Sequence, residues 1–258
     1  MSAITKKSSE EIEILAEAGK ILARMLKELG EKCVPGVTTE DINDEAMVLI
    51  EKSGVEPILL GYHPPFADRP YPAAICISVN NVVQHGVPSA NVVLEEGDVV
   101  NLDMTIGYKG MVVDSGITVA VGKTDAVSQK LIDVTRDALA IGIKAAVPGN
   151  HIGDISNSIE TYVHEQGFSV VEALCGHGVG YDVHEEPQIP NFGKKGKGEL
   201  IEVGHVYAIE PIVNVGGKDV VFDEEDGYSV YTKDGSRSAH FEHTVVITKN
   251  GARILTKE

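Results

Sequence analysis

Two stretches of this chain repeat each other at a fixed distance, and that repetition limits the fold more than any single motif does. Val34-Pro35-Gly36, Asp41-Ile42 and Gly54 return as Val147-Pro148-Gly149, Asp154-Ile155 and Gly167, all at one offset of 113 residues. An amphipathic helix pattern precedes each Pro-Gly turn. The first opens with a capping box at Ser8 and Glu11, carries Leu15, Ala18, Leu22, Met25 and Leu29 on one face, and is predicted to stop at Gly30. The second follows Thr124 and places Val127, Leu131, Val134, Ala138, Ile141 and Ala145 on one stripe. A further helix is expected after each turn, ending near Gly54 and Gly167. His85-Gly86-Val87 is echoed by His177-Gly178-Val179, and the step from Gly97 to Asp103 by that from Gly204 to Glu210, with length differences left to loops. The expected architecture is α/β (α+β): one domain over 1–258, built of two helix and antiparallel-strand halves, about 8–122 and 124–255, related by a pseudo-twofold axis. An interface between such halves is a natural place for a site.

Five residues fit that interface. Asp103, Asp114, His177, Glu210 and Glu242 each sit in a strand-like segment outside any run of surface charge. From Val100 to Ile106, Asn101, Asp103 and Thr105 share one face, so Asp103 is predicted to project from the polar face of a half-buried strand. Asp114 precedes the apolar run Ile117 to Val121, and Glu242 opens a β-branched run through Val245 to Ile247. Three glycines surround His177, from Gly176 to Gly180, and are read as supplying close approach and positive φ in a loop that leaves the histidine exposed in a cleft. Two like charges about 4 Å apart repel by about 4 kcal/mol at an effective dielectric near 20. Four converging carboxylates therefore call for cations between them, and the set reads as a dinuclear metal site.

The remaining composition narrows the class. Net charge is −17, from 22 basic and 39 acidic residues, which argues against sequence-specific or backbone-driven nucleic-acid binding. Cys33, Cys76 and Cys175 are few and widely spaced, as in a reduced cytoplasmic protein, and no apolar run approaches the 18 residues or so of a membrane span.

Asn101-Leu102-Asp103, the step to Asp114, Gly176 to Gly180, His184-Glu185-Glu186-Pro187, Ile209-Glu210-Pro211 and Glu242-His243-Thr244 together resemble the type I methionine aminopeptidases, over nearly the whole chain. The resemblance implies the pita-bread fold, and 258 residues leave no room for the N-terminal domain of prolidase-like relatives or the helical insert of type II enzymes. It implies two divalent ions drawn from Co, Mn, Fe, Zn or Ni, with Asp103 chelating one, Asp114 and Glu242 bridging both, and His177 and Glu210 binding the other. A water shared by the pair would be the nucleophile. Glu210 would shuttle its proton, His85 would hydrogen-bond the scissile amide and His184 the developing oxyanion. Tyr62, Tyr71, Cys76, His85 and Tyr228 would form the methionine slot, and small second residues would be favoured. The longer segment 64–70, Val183 and Tyr228 depart from the family pattern at the slot's rim. The implied role is removal of the initiator methionine from nascent polypeptides by a cytoplasmic monomer. A transient ribosome contact is expected through Lys194, Lys195 and Lys197. The rivals are an Xaa-Pro peptidase on the same fold and an inactive binding module that has lost its ligands.

Overall fold

The computed structural model describes residues 4–64 and 67–258; Pro65 and Phe66, within the segment flagged above, lie outside the described residues. In chain order the elements are α1 (Ser9–Lys32), α2 (Thr39–Ser53), β1 (Glu56–Pro57), β2 (Cys76–Val79), β3 (Val82–Gln84), β4 (Val99–Tyr108) and β5 (Met111–Ala120). A second series follows: α3 (Ala126–Ala145), α4 (Ile152–Glu165), β6 (Ser169–Val170), β7 (Cys175–Gly178), β8 (Glu185–Pro190), β9 (Val206–Ile209) and β10 (Ile212–Asn214). The chain closes with β11 (Val220–Phe222), β12 (Val230–Thr232), β13 (Ser238–His240), β14 (Glu242–Thr248) and β15 (Gly251–Ile254).

The helix starts follow local chemistry. Ser8 and Glu11 form the expected capping box on α1, and Thr38 and Asp41 form another on α2. Asp125 caps α3 by accepting from the Val127 and Ser128 amides at 2.9 and 3.0 Å. At α4 the Asp154 carboxylate accepts from the His151 amide at 2.8 Å, the counterpart of Asp41 with Thr38. The turns ahead of α2 and α4 also match: Gly36 and Gly149 have φ of 93° and 92°, and their amides donate to the carbonyls of Leu94 and Ile201. A left-handed backbone at that point explains why both turns use glycine.

Nine strands form the central antiparallel sheet, in the order β1-β4-β5-β14-β9-β7-β8, with β2 added on β4 and β15 on β14. Strands of the two series meet where β5 pairs with β14, Gly116 opposite Glu242 and Ser115 opposite His243. Two large apolar clusters pack on the helices, the first of them also taking in Val206 and Ala208 of β9 and Val246 of β14. α1 packs Leu15, Leu22, Leu26 and Leu29, and α2 packs Ile42 and Ile50, with Val100, Leu102, Met104 and Ile106 of β4. α3 and α4 pack Leu131, Leu139, Ile155 and Ile159 with Tyr207, Ile209 and Val245.

Three local expectations need correcting. α1 runs past Gly30 to Lys32, and a Cβ at Gly30 would lie 3.3 Å from Ile117 and Val119 of β5, so this glycine serves close packing rather than termination. On α3, Leu131, Val134 and Ala138 are buried as expected, but Val127 is exposed and Ile141 only partly covered; Ile132, Leu139 and Ile143 complete the buried face. β4 is buried on both faces through Gly107: on its polar side Asn101 meets His240 of β13, while Asp103 and Thr105 face an interior cavity.

α1 also crosses the chain just after β15 at Gly19, where a Cβ would lie 2.6 Å from the Leu255 carbonyl carbon and 2.9 Å from the Thr256 nitrogen. Gly19→Ala should therefore destabilise the protein by about 2 kcal/mol, overpacking outweighing a helix-propensity gain of about 1 kcal/mol. Urea denaturation at neutral pH checks the sign; a more stable variant would contradict the close crossing.

Candidate metal centre

A cavity of about 560 Å³ opens beside the β5–β14 seam, and every site residue expected from sequence lines it. Asp103 on β4 lies opposite Gly116 on β5 and Cys76 on β2. Asp114 lies mid-strand on β5, where its Oδ1 accepts from Thr105 Oγ1 at 2.8 Å. Its backbone is tied to β14 through Thr244, whose hydroxyl accepts from the Asp114 amide at 3.0 Å and donates to the Asp114 carbonyl at 2.7 Å. Glu242 begins β14 and Glu210 immediately follows β9. His177 sits on β7, paired with Ala208 of β9.

The environment of His177 differs from the exposed loop expected. The residue is buried in a strand, and neither Gly176 nor Gly178 has a positive φ; only Gly180 does, at 140°. These two glycines admit neighbouring backbone instead. A Cβ at Gly176 would lie 2.5 Å from the Ala208 carbonyl oxygen, and one at Gly178 would strike the Glu186 carbonyl.

The imidazole is prepared as a ligand. Its Nδ1 donates to the Gly178 carbonyl at 2.9 Å, so the neutral ring presents an unprotonated Nε2 to the cavity. Burial pushes its pKa down to about 4. Nε2 stands 3.9 Å from Asp114 Oδ2 and 3.6 Å from Glu210 Oε1. With a neutral ring these are not ion pairs but convergent donor atoms. One donor atom each from Asp114, His177 and Glu242 lies within 4.8 Å of the others. Glu242 Oε1 is buried with no hydrogen-bond partner among the described residues. Burial first, then the charge of neighbouring carboxylates, drives the pKa values of Asp103, Glu210 and Glu242 well above the usual range; burial also raises that of Asp114, against the Thr105 hydrogen bond. Unpaired buried carboxylate oxygens around a neutral imidazole lone pair are the donor set a divalent cation requires.

The cavity wall carries the other expected residues. His85 has φ of 57°, a strained conformation for a non-glycine residue at a cavity edge. His184 is held at the mouth by a 2.9 Å hydrogen bond between its Nδ1 and the Tyr62 hydroxyl, its ring 4.5 Å edge-on from His177. Tyr71 and Tyr228 meet edge to face at 5.0 Å, with Cys76 buried beside them, and the Tyr228 hydroxyl donates to the Arg69 carbonyl. Sequence reasoning did not single out Leu59, Leu174, Cys175 or Gln188 as cavity residues, nor His240 and Asn101 behind Glu210. Their positions depend on strand pairings that no local motif announces.

The pattern of metallopeptidase family M24 matches residues 13–249. The chain belongs to this family. A methionine aminopeptidase of Aquifex aeolicus is 45% identical over 99% of both chains. The crystal structure of a methionine aminopeptidase from Thermotoga maritima superposes with a TM-score of 0.95 at 43% identity, covering 99% of this chain and all of that one. A prolidase from Pyrococcus horikoshii shares only the fold, at 23% identity and a TM-score of 0.75 over 63% of its length. The resemblance read in the sequence thus holds from end to end, and the M24 chain has the pita-bread fold. Among its described residues no helix is long and apolar enough to cross a membrane.

The rim of this M24 cavity is tied to the N-terminal segment. Lys7 is 5% exposed; its Nζ lies 2.6 Å from Glu185 Oε2 and 4.3 Å above the Tyr181 ring. Burial alone would raise the Glu185 pKa, but hydrogen bonds from Lys7, Thr5 and the Tyr181 amide bring it below the usual range. A lowered carboxylate pKa contributes stability that is present above the unfolded value, about 4.3, and is lost as pH falls through the folded value. Lys7→Met should cost about 3 kcal/mol at pH 7 by leaving Glu185 without its cation. The gap to wild type should narrow at pH 3. Chemical denaturation at both pH values checks this, and an equal gap would contradict the ion pair's role.

Proposed function

We propose that this M24 enzyme removes the initiator methionine from nascent polypeptides whose second residue is small. The observation that carries the reading is the juxtaposition, in one cavity, of the buried acidic donor set with the Tyr71, Cys76 and Tyr228 slot. An unbranched thioether suits a slot of that size and polarizability. Asp103 would hold one divalent ion, Asp114 and Glu242 would lie between two, and His177 and Glu210 would hold the second, the metals being Co, Mn, Fe, Zn or Ni. When bound, the cations neutralise the cluster and acidify water at the scissile bond. Glu210, whose buried carboxyl favours holding a proton, would take one from the attacking water and return it to the leaving amine. His184 has Nδ1 engaged with Tyr62, which leaves Nε2 for the substrate's carbonyl oxygen, and His85 would hydrogen-bond the scissile amide.

The repeated turns and caps support a single domain of two duplicated halves, about 8–122 and 124–255. We take the working form to be a cytoplasmic monomer. A salt-sensitive ribosome encounter through exposed Lys194, Lys195 and Lys197 fits the nascent-chain role. Reversing these three charges should weaken co-sedimentation with ribosomes at low salt; unchanged binding would remove that contact.

The manganese- or cobalt-loaded protein should release methionine from Met-Gly peptides and leave Xaa-Pro peptides largely intact. Chelation should abolish turnover and added divalent ion restore it. Glu210→Gln should lower kcat by about 100- to 10,000-fold, and Asp114→Ala should lower bound metal measured by elemental analysis. Preference for the Xaa-Pro substrate would overturn the reading.

A further inference from the structure

His240 ends β13, opposite Ile212 of β10, and its ring is 0% exposed. Everything around it is arranged to hold that ring still. The His240 amide donates to Thr118 Oγ1 at 3.0 Å, and the Thr118 hydroxyl donates to the His240 carbonyl at 2.6 Å. Asn101 Nδ2 lies 3.1 Å from the same carbonyl and 2.8 Å from the ring Nδ1. On β5 a Cβ at Gly116 would sit 2.6 Å from Cε1 and 2.7 Å from Nδ1, so the imidazole occupies the space that glycine leaves.

These contacts settle the tautomer. A carbonyl oxygen can only accept, so the nitrogen of the Asn101 amide must face His240, and ring Nδ1 must accept from it. The proton of the neutral ring is then on Nε2. Nε2 has no hydrogen-bond partner among the described residues, and Glu210 Oε2 stands 3.7 Å away. The other oxygen, Oε1, turns toward His177 Nε2 at 3.6 Å. Catalytic hydrogen bonds are commonly long in the unliganded state and tighten when the site fills.

We infer that His240 is a positioning residue for Glu210: its Nε2–H tethers Oε2 and so reserves Oε1 for the cavity. The inference rests on the role proposed for Glu210. A carboxylate asked both to hold a cation and to move a proton needs its two oxygens kept distinct, and a buried donor behind one of them does that. Asn101 acts one step further back, by fixing which ring nitrogen carries the proton.

Two measurements test this separately from the activity assignment. In the metal-free protein, long-range ¹H–¹⁵N spectra should show His240 as the Nε2–H tautomer. An Nδ1–H tautomer overturns the inference, whatever the protein hydrolyses. In the loaded enzyme with a Met-Gly peptide, His240→Gln, which retains a side-chain N–H donor, should keep kcat within about threefold. His240→Leu, of similar bulk without a donor, should lower kcat by about 10- to 100-fold with KM little changed. Equal losses in both variants, tracking their melting temperatures, would reduce His240 to packing, and full activity in the leucine variant would remove the tether. A wild-type enzyme inert on methionyl peptides but with the expected tautomer would instead count against the proposed substrate, leaving the tether in place.

Discussion

The pairing of β5 with β14 is short, Gly116 opposite Glu242 and Ser115 opposite His243, yet the cavity depends on it. Asp114 and Thr244, 130 residues apart in sequence, exchange two hydrogen bonds across that seam, which fixes the backbone from which Asp114 projects. Gly116 lies at its centre. The residue opposes Asp103 on one side and Glu242 on the other, and its missing side chain admits the His240 ring. One glycine thus sets the spacing of two acidic groups and the depth of a third residue.

What the seam assembles is unfavourable on its own. Burial, and then the charge of neighbouring carboxylates, raises the pKa values of Asp103, Glu210 and Glu242, and His177 is held neutral by burial against the opposing pull of its Gly178 hydrogen bond, so it cannot balance them. The fold bears this because two apolar clusters, one centred on α1 with β4 and one on α3 with β9 and β14, pack around it. The clusters stabilise the frame while the site beside the seam stays polar, a local departure that functional sites offset elsewhere in the fold.

Much of this was legible in the sequence because it is local or periodic. Capping boxes span four residues, the two Pro-Gly turns repeat at a fixed offset, and strand alternation alone puts Asp103 on the face away from Leu102 and Met104. The misreadings concern what lies across the strand or helix from the residue in question. Gly30 reads as a helix stop until β5 is seen packed against it, and Gly176 and Gly178 read as loop residues until the neighbouring carbonyls are in place. β4 reads as half-buried until His240 of β13 is seen packed against Asn101 on its polar face. His240 was passed over for the same reason: two residues before Glu242, its contacts are with Asn101, Thr118 and Glu210, none of them nearby in sequence.

The ion pair between Lys7 and Glu185 joins residues 178 apart, and Lys7 is anchored further by its amide to the Gly204 carbonyl. Together with the seam, this makes the site depend on contacts between distant parts of the chain, whose long loops must close before either tie forms. Neither half can assemble the acidic cluster by itself, so a partly folded chain holds no working peptidase. Proteolytic capability therefore arrives only with the finished tertiary structure, a safeguard that comes from topology alone.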